Sequence, residues 1–277
     1  MTPSLQSDTP LLEMRDVTVG TLRNTDAVVA SGVNWVVRQG DFWAVGGLHG
    51  AGKSDLLLTA GGLLPPRAGE LWLFGQPTSR TEAAHLTQRL RLGVVLDAAP
   101  LLSHLTVFDN IALPLRYHRN PPADAVETAV SEFLKATGLL PWASCTPAIV
   151  PRAWQKRAVL ARALVLRPEL LLLDCPLSGL DGPHTGWWLE FLETLARGHE
   201  LLGRRPLTLA ITTEDLGRWR GRARQFALLN HQRFQVLGDW PQVEQCAEPT
   251  VRLLAGGHTA DPAHLGKSTE TRHPERT

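Results

Sequence analysis

The sequence lacks any apolar run near the roughly 20 residues that a membrane-spanning helix requires. Residues 1–10 are polar and hold no apolar segment of the kind found in secretory signal peptides. We therefore expect a chain that does not cross a bilayer by itself. If it serves a membrane, we expect it to act from the cytoplasmic face through partner proteins.

Cysteine and net charge are also scarce. Cys145, Cys175 and Cys246 are far apart and form no CxxC pair, which argues against a disulfide framework or a structural zinc site and fits a reducing cytosol. The formal net charge is +1, so no basic face is indicated and nucleic acid is not expected as a partner. What remains is an ordinary globular composition of 277 residues, 43% of them hydrophobic, which is enough to bury a sizeable core.

Hydrophobic periodicity predicts an α/β chain whose sheet is interrupted by a helical segment. Strands are predicted at residues 11–19, 33–38, 42–46, 70–74, 91–96 (as a buried strand), 170–174, 207–212 and 225–229. Helices are predicted at residues 53–63, 107–115, 123–136 and 153–166. We expect a flexible N-terminus at residues 1–10, one domain at 11–255 with a helical subdomain at about 100–168, and a disordered tail at 256–277.

A glycine-rich loop stands between a predicted strand and a predicted helix. Residues 47–54 match the pattern GxxxxGK[ST], in which glycines let the backbone wrap phosphate oxygens and the helix N-terminus adds its positive dipole end. Lys53 suits the β- and γ-phosphates, and the Ser54 hydroxyl suits Mg²⁺. The predicted nucleotide-binding residues of this segment are Gly47, Leu48, His49, Gly50, Ala51, Gly52, Lys53, Ser54 and Asp55.

A second motif follows at residues 170–174, where four leucines lead into Asp174. An apolar strand that ends in aspartate is commonplace alone. Together with the phosphate loop, it predicts that the Asp174 carboxylate is a partner of Mg²⁺.

The surroundings of these motifs resemble an ABC transporter ATPase over residues 11–237. Residues 178–181, Ser-Gly-Leu-Asp, are similar to the D-loop of that family, and residues 155–164 resemble the helix after its signature motif. Residues 107–115, Val-Phe-Asp-Asn-Ile-Ala-Leu-Pro-Leu, are similar to ATPases of the Mla/MCE lipid-transport type. The resemblance implies a P-loop NTPase fold, with a RecA-like core, an antiparallel β subdomain and an inserted helical subdomain. It also implies ATP and Mg²⁺ as cofactors, a second ATP-binding subunit in a homo- or heterodimer, and an integral membrane permease subunit.

Four functional positions depart from the family pattern when the sequence is aligned outward from the intact stretches. The catalytic glutamate becomes Cys175, and the Q-loop glutamine becomes Asp97. The LSGGQ-like signature becomes Val-Pro-Arg-Ala-Trp at residues 150–154, and we assign the switch histidine to Thr213. An aromatic residue for stacking on adenine is also missing near residues 17–20.

Each departure changes the chemistry that the resemblance implies. A thiol at Cys175 is a poor base for water, and Thr213 cannot carry a cationic charge as histidine does. Proline at position 151 has no N–H to offer a phosphate, whereas Arg152 could reach one with its guanidinium or stay solvated. A carboxylate at Asp97 could ligate Mg²⁺ or orient water, or face solvent as an ordinary loop residue.

The leading hypothesis is thus an ATP-binding subunit of an ABC-type membrane transporter, peripheral on the inner face of the cell membrane, with slow or absent hydrolysis. An active ATPase with a rewired site built on Asp97 and Arg152 stays open. A soluble nucleotide-dependent regulator without a permease also stays open. A P-loop small-molecule kinase is disfavoured because residues 155–164 and 178–181 would have no role in it.

Overall fold

The structure is a computed structural model that describes residues 9–22, 27–78, 82–97 and 100–256. Its strands are β1 Leu12–Gly20, β2 Val28–Val37, β3 Phe42–Gly46, β4 Ala68–Leu73, β5 Gln76–Pro77, β6 Leu92–Val95, β7 Leu170–Leu173, β8 Thr208–Thr213, β9 Gln225–Asn230 and β10 Arg233–Gly238. Its helices are α1 Lys53–Ala60, α2 Glu82–Leu90, α3 Val107–His118, α4 Ala123–Ala136, α5 Arg152–Leu164, α6 Gly182–Arg197, α7 Trp240–Gln245 and α8 Pro249–Ala255. Within these ranges no helix is long and apolar enough to cross a membrane.

The larger sheet has six strands in the order β10-β9-β3-β8-β7-β6. All neighbours pair in parallel except β10, which pairs antiparallel with β9. The inner strands β3, β7 and β8 are buried along their whole length, which is why β3 and β7 are apolar in sequence and β8 holds only apolar residues and threonine. Parallel strands present their carboxyl ends at one edge, so the segments that follow β3, β7 and β8 meet there.

The strand predicted at residues 91–96 is confirmed, but its burial was overestimated. Strand β6 lies at the edge of the sheet, and its residues alternate between half-buried and buried. Among the described residues only β7 pairs with it, and after β6 the chain continues into the helical segment. Strand β6 is therefore apolar as a partly covered edge strand and not as a central strand of the sheet.

The smaller sheet is antiparallel and has the order β2-β1-β4-β5. One hydrophobic cluster joins this sheet, helix α1 and one face of the larger sheet, with Trp35 fully buried at its centre. Trp35 packs edge to face on Trp43 of β3 at a centroid distance of 6.0 Å. A backbone hydrogen bond of 3.1 Å from Ser31 to Gln232 also links the two sheets. This is the antiparallel β subdomain predicted from the resemblance.

Helices α3, α4 and α5 are consecutive between β6 and β7, as predicted for a helical insertion. A second hydrophobic cluster joins them to α6 and to the opposite face of the larger sheet. Asn110 of α3 is fully buried and holds the preceding segment by accepting from Leu102 N (2.8 Å) and donating to the carbonyls of Leu102, Leu105 and Thr106. These bonds tie residues 102–106 to helix α3.

Arg157 links α5 to α6. Its guanidinium lies between the rings of Trp154 and Trp187, at 4.3 Å and 3.8 Å from the ring centroids. It contacts His184 Nδ1 at 3.0 Å and donates to the carbonyl of Thr137. Burial lowers the pKa of this guanidinium. The tryptophan pair after the D-loop-like segment is thus used for packing: Trp187 clamps Arg157, and Trp188 is fully buried in the core.

Several elements were missed in the sequence. Helix α2, the two short helices α7 and α8, and strand β10 were not predicted, and β2 begins at Val28, five residues before the predicted start. The polar turn predicted at residues 23–26 lies outside the described residues. So do residues 1–8 of the predicted flexible N-terminus and residues 257–277 of the predicted tail. Helix α8 ends at Ala255, and Gly256 is its C-cap.

Arg157→Ala should lower the free energy of unfolding by about 3 kcal/mol, because it removes two desolvated cation–π contacts and one buried hydrogen bond. Arg152→Ala is the matched control, since Arg152 is exposed on the same helix, and it should change stability by no more than about 0.5 kcal/mol. Chemical denaturation of both variants measures the difference. Equal midpoints for the two variants would contradict this account of Arg157.

Candidate functional site

The glycine-rich loop joins the end of β3 to the start of α1, as the pattern predicts. Gly50 and Gly52 adopt positive φ values of 79° and 89°, which side-chain-bearing residues rarely adopt. A Cβ on Gly52 would lie 2.3 Å from Val29 Cγ1, so the loop packs closely against β2. Gly52 is also the N-cap of α1, and no side chain caps this helix among the described residues. The first amides of α1 are therefore available to an anion.

Lys53 is the buried cation of the loop, with 6% of its surface exposed. Its Nζ donates to the carbonyls of Gly47 and Leu48, both at 2.8 Å. The third donor meets Glu214 Oε1 at 3.0 Å. Because an ammonium has three donors, all of them are engaged within the protein. The amide of Gly47 is bound in turn by the carbonyl of Thr213 at 3.1 Å, which ties the loop to β8.

Asp174 stands directly after β7 and is 4% exposed. Ser54 Oγ donates to its Oδ2 at 2.5 Å, and Thr212 Oγ1 donates to its Oδ1 at 2.7 Å. The Ser54 hydroxyl and the Asp174 carboxylate predicted as metal partners are thus adjacent. They are hard oxygen ligands, and Mg²⁺ usually takes one or two such protein ligands and completes its shell with phosphates and water. This pair fits Mg²⁺, and no cluster of three or more acidic, His or Cys residues competes with it among the described residues.

Cys175 follows Asp174 in the left-handed region, with φ of 42°. Its amide donates to Thr212 Oγ1 at 3.1 Å, and its Sγ lies 3.7 Å from the same oxygen. Burial, followed by the negative charge of Asp174, raises the pKa of the thiol to about 11. The side chain beside the Asp174 carboxylate is therefore a neutral thiol at physiological pH, which cannot accept a proton from water as a carboxylate would.

Thr213, to which the switch position was assigned, faces its own turn. Its hydroxyl donates to the carbonyl of Asp215 and accepts from the Asp215 amide, both at 3.0 Å. The neighbouring Glu214 is the side chain that reaches the loop, through Lys53 and through His49 Nδ1 at 3.4 Å. Glu214 is thus the side chain that contacts the loop, and the assignment of the switch position to Thr213 stays a prediction. The one-residue difference arises because consecutive side chains at the end of a strand point to opposite faces.

Asp97 lies just after β6 and pairs with Lys156 of α5, whose Nζ is 2.7 Å from Asp97 Oδ1. The same ammonium donates to the carbonyl of Ser178 at 2.7 Å, in the segment that resembles the D-loop. Lys156 was not singled out in the sequence, although it follows Gln155 in the helix quoted above. The carboxylate of Asp97 already has a cationic partner, and a metal ion would have to displace it.

Asp97, Arg152 and Asp174 all line one cavity of about 300 Å³, together with Lys156. Arg152 is the first residue of α5 and is an exposed residue of this lining. Pro151 is the N-cap of α5 and provides no side-chain cap. The structure therefore brings together the residues of the rewired-site hypothesis, with an additional lysine among them.

The raised pKa of Cys175 predicts slow alkylation. At pH 8 a thiol of pKa about 11 has a thiolate fraction roughly a hundredfold below that of a thiol at about 9, and the fraction rises tenfold per pH unit until about 11. Iodoacetamide labelling followed by peptide mapping should show this rise from pH 8 to pH 10 in the folded protein. A plateau by pH 9 would contradict the assigned environment.

Comparison with known proteins agrees with this geometry. A family model described as ABC transporter matches residues 30–178. The intermembrane phospholipid transport system ATP-binding protein MlaF of Escherichia coli (strain K12) is 28% identical over 253 residues, which cover 91% of each chain. MlaF of Haemophilus influenzae is 32% identical over 186 residues, 67% of this chain and 69% of that protein. The ATP-binding cassette MJ0796, solved as a dimer in a post-hydrolysis state with ADP and Pi, has a TM-score of 0.72 at 24% identity and covers 83% of this chain and 100% of its own.

The structural likeness confirms the predicted P-loop fold, with its mixed sheet, antiparallel sheet and helical insertion. The family model covers more than half of the chain and spans both the phosphate loop and Asp174. The chain therefore belongs to the ABC transporter family.

Proposed function

We propose that this chain is the ATP-binding subunit of a membrane transporter, which binds Mg²⁺ and ATP but hydrolyses ATP slowly or not at all. One observation carries the proposal. The phosphate loop and the Ser54–Asp174 pair are complete, whereas the adjacent Cys175 is a neutral thiol with a pKa near 11. The groups that bind nucleotide are present, and the group that would activate water is not.

Nucleotide binding is supported by the arrangement of the loop. Uncapped amides at the start of α1 and the Lys53 ammonium would hold the phosphates by charge-assisted hydrogen bonds. Ser54 and Asp174 would hold Mg²⁺, which supplies neutralising charge for the phosphate oxygens when it is bound. The absence of an aromatic residue at positions 17–20 leaves nothing there to stack on adenine. We infer poor selectivity between ATP and GTP.

Slow hydrolysis is supported by the segments that should act on the γ-phosphate. In residues 150–154, Pro151 has no N–H, and Arg152 is exposed at the start of α5. Arg152 would offer a cation to a phosphate bound by a facing subunit. A base is worth about 10²–10⁴ in rate, and one phosphate-directed donor about 10²–10³. The loss of both would leave little catalysis.

An active ATPase with a rewired site is the second candidate. The cavity shared by Asp97, Arg152 and Asp174 favours it. The ion pair of Asp97 with Lys156 at 2.7 Å disfavours it, because a carboxylate held by a cation is a weaker base and metal ligand. A soluble nucleotide-dependent regulator without a permease is a further alternative.

The proposal includes a second ATP-binding subunit and an integral membrane permease subunit, with the chain peripheral on the cytoplasmic face. Phospholipid is the proposed cargo class, because both MlaF relatives are named for intermembrane phospholipid transport. Half-exposed Leu102, on the segment held by Asn110, and half-exposed Leu113 of α3 are the proposed permease contact. Cross-linking in native membranes tests this contact, and we expect an integral membrane protein to be recovered with the chain. Recovery of the free monomer alone would favour the soluble regulator without a permease.

Lys53→Ala should weaken binding of Mg²⁺ and ATP by about tenfold to a hundredfold, because it removes a charge-assisted contact with the phosphates. Lys135→Ala, at an exposed position near the end of α4, removes the same charge and should leave the affinity unchanged. Isothermal titration calorimetry compares the three proteins. Undetectable binding by the unaltered protein, or equal binding by both variants, would contradict the proposal.

Cys175→Glu alone should fail to raise the ATP turnover of the unaltered protein to that of an ordinary enzyme, because Pro151 and Arg152 remain in the signature segment and residues that act as a unit fail together. Phosphate release by the variant and the unaltered protein gives the ratio. Full activation by this one change would overturn the argument. If the unaltered protein is active and Asp97→Asn abolishes its turnover, the hypothesis of an active ATPase with a rewired site replaces the proposal of slow hydrolysis.

A further inference from the structure

Glu214 is a charged group at the phosphate loop that the proposed function does not use. Its carboxylate accepts from Lys53 Nζ at 3.0 Å and lies 3.4 Å from His49 Nδ1. Lys53 is buried and its other two donors are bound to loop carbonyls, whereas the Glu214 side chain is 48% exposed. Glu214 therefore holds the one donor of Lys53 that is not committed to the loop backbone.

A phosphate that uses this lysine must share it with Glu214. A phosphate oxygen in contact with Nζ lies about 2.8 Å from it, and Glu214 Oε1 lies 3.0 Å from it. Two atoms that touch the same nitrogen cannot be more than about 6 Å apart, so the carboxylate and the phosphate are like charges in close proximity. Either Glu214 swings away and gives up its ion pair, or the nucleotide binds against its charge.

The other charges around the loop do not remove this conflict. Asp174 adds a second carboxylate, hydrogen-bonded to Ser54, and Mg²⁺ held by that pair would compensate the charge of Asp174. Among the described residues Glu214 has no hydrogen bond or ion pair with Ser54 or Asp174, so it is not a ligand of that metal site and its carboxylate stays against Lys53.

We propose that Glu214 is a specificity-determining residue of this site: it competes with nucleotide phosphates for Lys53 and disfavours nucleotides in proportion to their phosphate charge. The proposal rests on the proposed function, in that the loop is taken to bind nucleotide. Because ATP carries one more phosphate charge than ADP, the penalty falls more heavily on ATP. The chain then binds ATP with an unusually small preference over ADP, or with none.

Glu214→Gln tests the proposal, because it removes the charge and keeps the shape. ATP affinity, measured by calorimetry with Mg²⁺, should rise about tenfold, since a half-exposed carboxylate is partly screened. ADP affinity should rise less, so the ratio of the two dissociation constants should shift toward ATP. Glu132→Gln is the matched control: Glu132 is equally exposed, at 52%, on helix α4, and its loss should leave both affinities unchanged. Glu214→Ala repeats the test with a different side chain.

The ratio separates a charge effect from a structural one. Equal gains for ATP and ADP, no change relative to Glu132→Gln, or weaker ATP binding would each overturn the proposal. If the wild-type protein binds no nucleotide and Glu214→Gln binds ATP, the proposal about Glu214 is supported. The nucleotide binding in the proposed function would then hold for the variant and not for the wild-type protein. If neither binds and Lys53→Ala behaves in the same way, the proposed function itself is overturned.

Discussion

The carboxylate of Asp174 is the constraint on which the rest of the site depends. Its two oxygens accept hydroxyl protons from Ser54 of α1 and Thr212 of β8, at 2.5 and 2.7 Å, and it stands at the end of the buried strand β7. A buried carboxylate without such partners would be costly, so these bonds fix the loop, β7 and β8 relative to one another. The same oxygens are the ones that would face Mg²⁺. Loss of Asp174 would therefore disturb the fold around the loop as well as the metal site.

Because the groups proposed to bind nucleotide also hold the fold together, they can persist in a chain whose hydrolytic groups we propose to be replaced. Lys53 and Asp174 are buried and bonded to backbone or hydroxyl partners on three elements. Asp97, Arg152 and Glu214, where we propose that hydrolytic groups are replaced, lie in exposed or half-exposed segments at the ends of β6, α5 and β8. Substitutions at such positions cost little stability, whereas a change at a buried, bonded position costs much more.

The sequence predicted the phosphate loop, the Asp174 strand and the helical insertion because each depends on local pattern. The sequence alone shows glycines where the loop requires positive φ. It also shows the continuous apolar runs that are typical of central strands. The partners of the site were harder to predict. Glu214 was passed over because an alignment by counting placed the position on Thr213, and Lys156 because its pairing with Asp97 joins residues 59 positions apart through tertiary structure. Strand β10 and the short helices α7 and α8 were missed because segments of 6, 6 and 7 residues are too short to show a clear hydrophobic periodicity.

The central claim is that this member of the ABC transporter family retains nucleotide binding while its own chemistry cannot turn ATP over rapidly. Steady-state phosphate release from Mg²⁺ and ATP tests it most directly. The unaltered protein should be measured at saturating ATP, alone and together with any membrane subunit recovered from native membranes. The account predicts turnover well below about 1 s⁻¹ in both conditions, and turnover of about 1 s⁻¹ or more in either would contradict it.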